Sequence, residues 1–232
     1  LEGAMQLSNY VHFALTKKKQ SVWIAQREGR SKDSDDRTQE SLLKMLGMGG
    51  DAPTFYDRVK ELNLLPLSIS YEYDPNDYLK AKEFLMKKND PEFKKSKADD
   101  LLSMSTGLMG YKGRIHFEIS PCVSIKLDEL PSNADRNTIV NFVKEEIDKS
   151  IHRTYKIYPC NYVAYDLINE TCEYADNGYS QEEKDAFVKY VEKQLDKVDV
   201  EVSEEDRNYM RTMVYNMYAN PLKNKLNTLK SE

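Results

Sequence analysis

A chain of 232 residues with 40% hydrophobic and 31% charged residues is long enough for one sizeable domain, with or without a smaller appendage, and too apolar for disorder. Its formal charge of -5 excludes a nucleic-acid binder that works through an overall basic surface, so any anion it holds must meet a local group of cations. Three cysteines, Cys122, Cys160 and Cys172, make no Cys-x-x-Cys pair, which points to reduced thiols in a cytoplasmic setting and away from a disulfide framework or a metal site.

No window approaches the roughly 18 consecutive apolar residues of a membrane-spanning helix, and the first residues lack the layout of a signal peptide. They read instead as a helix, with Ala4, Leu7, Val11, Ala14 and Leu15 on one face. Because the chain opens inside that helix with Leu1, the expectation is a protein entered midway.

Ser21 to Ala25 is too short for a helix and carries Val22, Trp23 and Ile24 in a row, as expected of a strand buried on both faces. It breaks into the charged run Arg27, Glu28, Gly29, Arg30, Ser31, Lys32. A helix is predicted from about Thr38 to Met48, stopped by Gly49 and Gly50, and Thr54-x-x-Asp57 opens another. Leu64 to Tyr73 reads as a second strand, and Gly113 to Ile119, with Ile115, Phe117 and Ile119 alternating, as a third. Between them, Asp74 to Gly110 is lysine-rich and helical in pattern.

Ser132-x-x-Asp135 opens a helix with Ile139, Phe142, Val143, Ile147 and Ile151 on one face. Ser180-x-x-Glu183 and Ser203-x-x-Asp206 cap two more, and Asn220-Pro221 is expected to stop the second. Strands alternating with helices predict an α/β fold: a mostly parallel sheet flanked by helices over residues 1–158, with an all-helical extension over 159–232.

A loop leaving a parallel strand towards a helix is where open α/β sheets place ligands. Arg27, Arg30 and Lys32 offer guanidinium and ammonium donors, Ser31 a hydroxyl, and Gly29 a backbone that can approach an anion closely. Such a set suits a phosphate monoester, with Glu28 orienting an arginine or accepting from a substrate hydroxyl. A solvated turn with local ion pairs is the competing reading.

EGRS after an apolar run, followed some 35 residues later by LLPLSIS, resembles the third and fourth conserved blocks of the glycerol-phosphate acyltransferase family, lysophosphatidate acyltransferases included. The resemblance covers roughly the first half of the chain, with Pro66 at the proline of the fourth block and Ile115 to Val123 similar to the strand that follows. It implies that Glu28, Gly29, Arg30 and Ser31 bind the acceptor's phosphate and hydroxyls. It also implies acyl transfer from acyl-coenzyme A or acyl carrier protein to glycerol 3-phosphate or lysophosphatidate, with no further cofactor, at the inner face of a membrane. The chain departs from the pattern in lacking the residue between the Gly and the Arg, and in having Arg27 where the family has Pro.

The family's His-x-x-x-x-Asp block, whose histidine deprotonates the acceptor hydroxyl, is missing. Neither the fourth nor the fifth residue after His12, His116 or His152 is an aspartate. No catalytic residue is therefore assigned, and the chain is expected to bind and not to turn over. A non-catalytic phosphate- or headgroup-binding module, or a plain interaction protein, are the alternatives.

His116 reads as structural or surface, Cys122 as a buried small hydrophobe, His12 and His152 as partly exposed, and Asp74, Asp77 and Glu83 as a solvated face. Lys87-Lys88 and Lys94-Lys95 with Lys97 are candidates for a peripheral contact with anionic headgroups. Met210, Met213 and Met217 read as core, with an acyl chain as the rarer alternative.

Overall fold

A computed structural model describes residues 2–27 and 32–231. In chain order the elements are α1 (Glu2–Thr16), α2 (Glu40–Leu46), α3 (Phe55–Glu61), β1 (Leu67–Tyr71), α4 (Asp77–Asn89), α5 (Lys97–Met109), β2 (Ile115–Ile119), α6 (Val123–Lys126), α7 (Arg136–Thr154), α8 (Pro159–Asn169), α9 (Gln181–Leu195) and α10 (Glu204–Lys230).

The expected parallel sheet is not formed. The protein is 59% helix and 5% strand, with β1 and β2 as an antiparallel pair. Glu72 N donates to Arg114 O and Ser120 N to Pro66 O, each at 2.9 Å, which sets the antiparallel register. Two helices, not one, connect the strands, so the chain re-enters the sheet at the end where β1 leaves it. Ser21 to Ala25 belongs to no helix or strand, and its apolar side chains are exposed, Trp23 by 74%.

The chain divides into two compact units, the division falling inside both strands. The first unit comprises residues 1–30, 36–68 and 118–154. Its centre is α7, which buries Ile139, Val140 and Val143 among Leu43 of α2, Tyr56 and Val59 of α3, and Val123 and Leu127. The start of α7 is capped by Asp135, one turn later than Ser132, through acceptance from Asn137 N (2.8 Å) and Thr138 N (3.2 Å). Val11 of α1 packs with Leu46 and Leu62. The turn after α2 lies close under α1, where a side chain on Gly49 would meet Asn9 N at 2.5 Å and Gly50 has a φ of +94°.

The second unit comprises residues 31–35, 69–117 and 155–232. Here α4, α8, α9 and α10 enclose Ala81, Leu85, Val163, Ala164, Phe187, Val191, Met210, Val214 and Met217, so Met210 and Met217 of the methionine stripe are core, while Met213 is half-buried beside them. The α10 helix continues through Pro221, although an interior proline removes one hydrogen bond and costs about 3 kcal/mol. Met217, Tyr218, Ala219 and Leu222 are buried on both sides of the proline, and that packing outweighs the local break.

Asp77, expected on a solvated face, is fully buried. Its Oδ2 accepts from the hydroxyls of Tyr190 and Tyr218 (both 2.9 Å), and its Oδ1 from Gln194 Nε2 and its neighbour's backbone, Tyr78 N (both 2.7 Å). Burial pushes the carboxyl from 3.8 up to about 7, against these donors, which pull it down. A folded-state value above the unfolded one gives stability that is full below the ordinary carboxyl range and lost as pH rises through the folded value. Asp77→Asn should therefore flatten the fall in melting temperature between pH 3.8 and about 7. A melting profile with the same slope as wild type across that window would show that Asp77 does not titrate there.

Candidate functional site

The charged segment is held at both stems by one carboxylate of the first unit. Asp148 Oδ1 on α7 accepts from Thr38 N (2.8 Å), Thr38 Oγ1 (2.6 Å) and Gln26 Nε2 (3.3 Å), and Gln39 N donates to Gln26 O (3.2 Å). One turn along α7, His152 Nε2 lies 2.9 Å from Asp36 O. These contacts make Gln26 and residues 36–39 a fixed frame for what lies between them.

Arg27 follows directly from that frame. Its side chain is half-buried, and its Nε is buried with no hydrogen-bond partner among the described residues. A buried guanidinium N–H without an acceptor is uncommon in folded proteins and is an open donor for an anionic oxygen. Glu28, Gly29, Arg30 and Ser31 lie outside the described residues.

Lys32 belongs to the second unit and is not open. Its Nζ is 2.7 Å from Oε2 of Glu83 on α4, which also receives Lys95 (2.7 Å) and, at Oε1, Lys87 (3.0 Å). Glu83, expected to be solvated, is therefore a nearly buried carboxylate beneath three ammonium groups. Its burial would raise the carboxyl, but the three lysine hydrogen bonds outweigh burial and hold it at about 2. Desolvation lowers Lys32, with Glu83 opposing. The following residues are held by α10, with Asn220 Nδ2 donating to Asp33 O (2.8 Å) and Asn224 Nδ2 to Asp35 Oδ1 (2.9 Å).

A cleft of about 160 Å³ adjoins Glu83, lined among others by Tyr78, Lys82, Lys95, Asp99, Ser103 and Lys197. Lys82 is paired with Asp199 (2.6 Å), so the cleft's charges are largely matched within it.

His12, His152 and Cys160 are structural. His12 and His152 are buried, not partly exposed. His12 Nδ1 lies 2.5 Å from Glu61 Oε1 and Nε2 2.9 Å from Leu46 O, which leaves no ring nitrogen to take a proton from a substrate. Cys160 donates to Glu72 O, and burial pushes its thiol up, away from the thiolate a nucleophile needs. Among the described residues, no group of three or more His, Cys, Asp and Glu is placed to hold a metal ion, and no helix is long and apolar enough to cross a membrane.

No family model, curated protein or solved structure matches this chain.

Asp148 was not among the residues singled out from sequence, because it sits 110 positions from Thr38 and inside a polar helix face. Asp148→Ala leaves Thr38 N and its hydroxyl without their acceptor, and is expected to destabilise the first unit by about 2–4 kcal/mol in urea denaturation. Asp148→Asn, which keeps one acceptor oxygen, should recover most of that loss. Equal losses in the two variants would mean that the bonds to Thr38 contribute little.

Proposed function

We propose that the segment from Arg27 to Ser31 binds the phosphate of a glycerol-phosphate acceptor in an acyl-transfer reaction, with acyl-coenzyme A or acyl carrier protein as the donor. The observation that carries this reading is the buried Nε of Arg27, unpartnered among the described residues, at the edge of a frame fixed by Asp148. A phosphate oxygen supplies the acceptor that this nitrogen lacks, in a charge-assisted bond. Arg30 and the Ser31 hydroxyl add donors, Gly29 allows close approach, and Glu28 accepts from a glycerol hydroxyl. Lys32 contributes less than its position in sequence suggests, because Glu83 already occupies its ammonium.

Acyl transfer needs a base to remove the proton of the attacking hydroxyl as it adds to the thioester carbonyl and expels the thiol. His12 has both ring nitrogens engaged, His152 is buried on a backbone carbonyl, and neither is followed by the aspartate of the His-x-x-x-x-Asp pattern. The chain by itself is therefore expected to bind the acceptor and release no thiol from acyl-coenzyme A. The same observation favours, as the second reading, a phosphate-binding module without catalysis. Thiol release dependent on glycerol 3-phosphate would exclude it.

Trp23, the one tryptophan, is exposed four residues before Arg27 and serves as a reporter. Titration with glycerol 3-phosphate should give a saturable change in its fluorescence, and glycerol should give none. Arg27→Ala and Arg30→Ala should each weaken binding about tenfold, the worth of one charge-assisted hydrogen bond. Identical titrations for the phosphate ester and for glycerol, or for wild type and both variants, would sink the reading.

A further inference from the structure

The sheet ends on an open strand. Glu72 N donates to Arg114 O and Ser120 N to Pro66 O, a register that sets Ile69 of β1 opposite Phe117 of β2 and Tyr71 opposite Ile115. In an antiparallel ladder, residues paired without hydrogen bonds turn their amide and carbonyl groups away from each other. Ile115, Phe117 and Ile119 therefore point their backbone groups off the far edge of β2, whereas His116 and Glu118 point theirs to β1. Among the described residues no backbone group meets that far edge. The side chains of Ile115, Phe117 and Ile119 share one face and are exposed, Phe117 by 60% and Ile119 by 66%. An edge of this kind is a template for another strand, and Ile115–Ile119 carries neither the lysine nor the proline that commonly blocks one.

The sequence of β2 says which strand fits. Ile115, His116, Phe117, Glu118, Ile119 reads the same in both directions, except that a base on one side of Phe117 answers an acid on the other. Laid antiparallel on a second copy about a two-fold axis at Phe117, the strand sets Phe117 against Phe117, Ile115 against Ile119, and His116 against Glu118 on each side. This register joins the outward backbone groups, Phe117 to Phe117 and Ile115 to Ile119 twice. His116 and Glu118 fall in the closely spaced pairs without hydrogen bonds, where opposite charges stabilise and like charges do not. Sliding one strand by two residues, the smallest step that keeps the outward groups matched, sets Glu118 on Glu118 or His116 on His116. Charge complementarity thus selects both the partner and the register.

We propose that the chain pairs with a second copy of itself through β2, in an antiparallel register centred on Phe117, to give a four-stranded sheet with a two-fold axis. Two strands of five residues supply about six backbone hydrogen bonds and bring Phe117 of one copy onto Phe117 of the other. The interface is small, so the dimer is reversible and forms in the micromolar range. Pairing consumes the β2 edge of each copy, and growth stops at two chains. The proposal does not depend on the Arg27 site or on acyl transfer.

Sedimentation velocity and amide hydrogen exchange by NMR, each on the full chain over a concentration series, test it. The expected result is a monomer–dimer equilibrium in which the amides of Ile115, Phe117 and Ile119 gain protection as the dimer fills, while those of His116 and Glu118, turned to β1, exchange alike throughout. Phe117→Pro removes an outward amide that the β1 ladder does not use, and should leave a folded monomer by circular dichroism. His116→Glu and Glu118→His should each weaken the dimer about tenfold by setting like groups opposite each other, and mixing the two variants in equal amounts should restore it. A chain that stays monomeric at every concentration overturns the proposal. So does a dimer that leaves the Phe117 amide unprotected, or that the mixture of variants fails to restore, because the contact then lies elsewhere on the surface. Assembly beyond two chains overturns it as well.

Discussion

One carboxylate sets the alignment of the helices in the second unit. Asp77 is the first residue of α4, and it takes hydrogen bonds from two side chains of α9, Tyr190 and Gln194, and one of α10, Tyr218. Burying a carboxylate is costly unless each lone pair finds a donor, so the geometry of all three helices is tied to one point. Sliding α9 by a single residue moves its side chains by about 1.5 Å and turns them through more than a quarter of the helix circumference, which strips the carboxylate of two donors. The surrounding Val191, Met210 and Val214 would tolerate such a shift far better, because apolar packing is less directional. Tyr218 extends the constraint by accepting from Asp74 N (3.0 Å), which locks the turn that leads from the sheet into α4.

Six residues further along α4, Glu83 applies the same logic with cations. Its three lysines come from residue 32, from its own helix and from the segment before α5. Removing the carboxylate would leave three ammonium groups crowded together, so the cluster fixes the course of two connecting segments that have little apolar surface to bury. Both acids lie in a stretch whose composition is that of a solvated helix. Composition reports how many charges a segment has, and only the tertiary partners decide which of them go inside.

Helix boundaries were legible where the signal was local. Thr54 accepts from Asp57 N, Ser180 and Glu183 make a reciprocal capping box, and Ser203 accepts from Asp206 N, all as the spacing in sequence requires. What failed was everything decided by non-local pairing. A strand needs a neighbour, and Val22, Trp23 and Ile24 have strand-like composition but no strand beside them in the structure. The direction of β2 depends on whether one helix or two intervene, and it stays hidden when Asp74 to Gly110 is read as one helical stretch, although Asn89-Asp90-Pro91 and the Ser96-x-x-Asp99 capping box punctuate the break between α4 and α5. Pro221 is the reverse case, a strong local stop overridden by buried residues on both sides. The candidate site divides the same way. Arg27 was visible as part of a charged run, whereas Asp148, which frames it from 110 residues beyond Thr38, and Glu83, which occupies Lys32 from 51 residues away, were not.

The Arg27 Nε, unpaired among the described residues, has an energetic consequence for the proposed binding. A buried donor left without an acceptor costs about 1–3 kcal/mol, and it is supported here by the bonds that Asp148 makes on either side of the segment. On the proposed reading, a ligand oxygen that reaches Nε removes that penalty in addition to forming its own bond. An uncharged polyol can supply an acceptor but not the charge assistance, so the proposed site would discriminate on the phosphate and not on the glycerol. Screening acts in the same direction. The overall charge of -5 repels anions at long range, but over a Debye length of about 8 Å at physiological ionic strength only local groups are felt. With Lys32 already paired to Glu83, the proposed selectivity of this segment would rest on guanidinium geometry, which reads the shape of a phosphate as well as its charge.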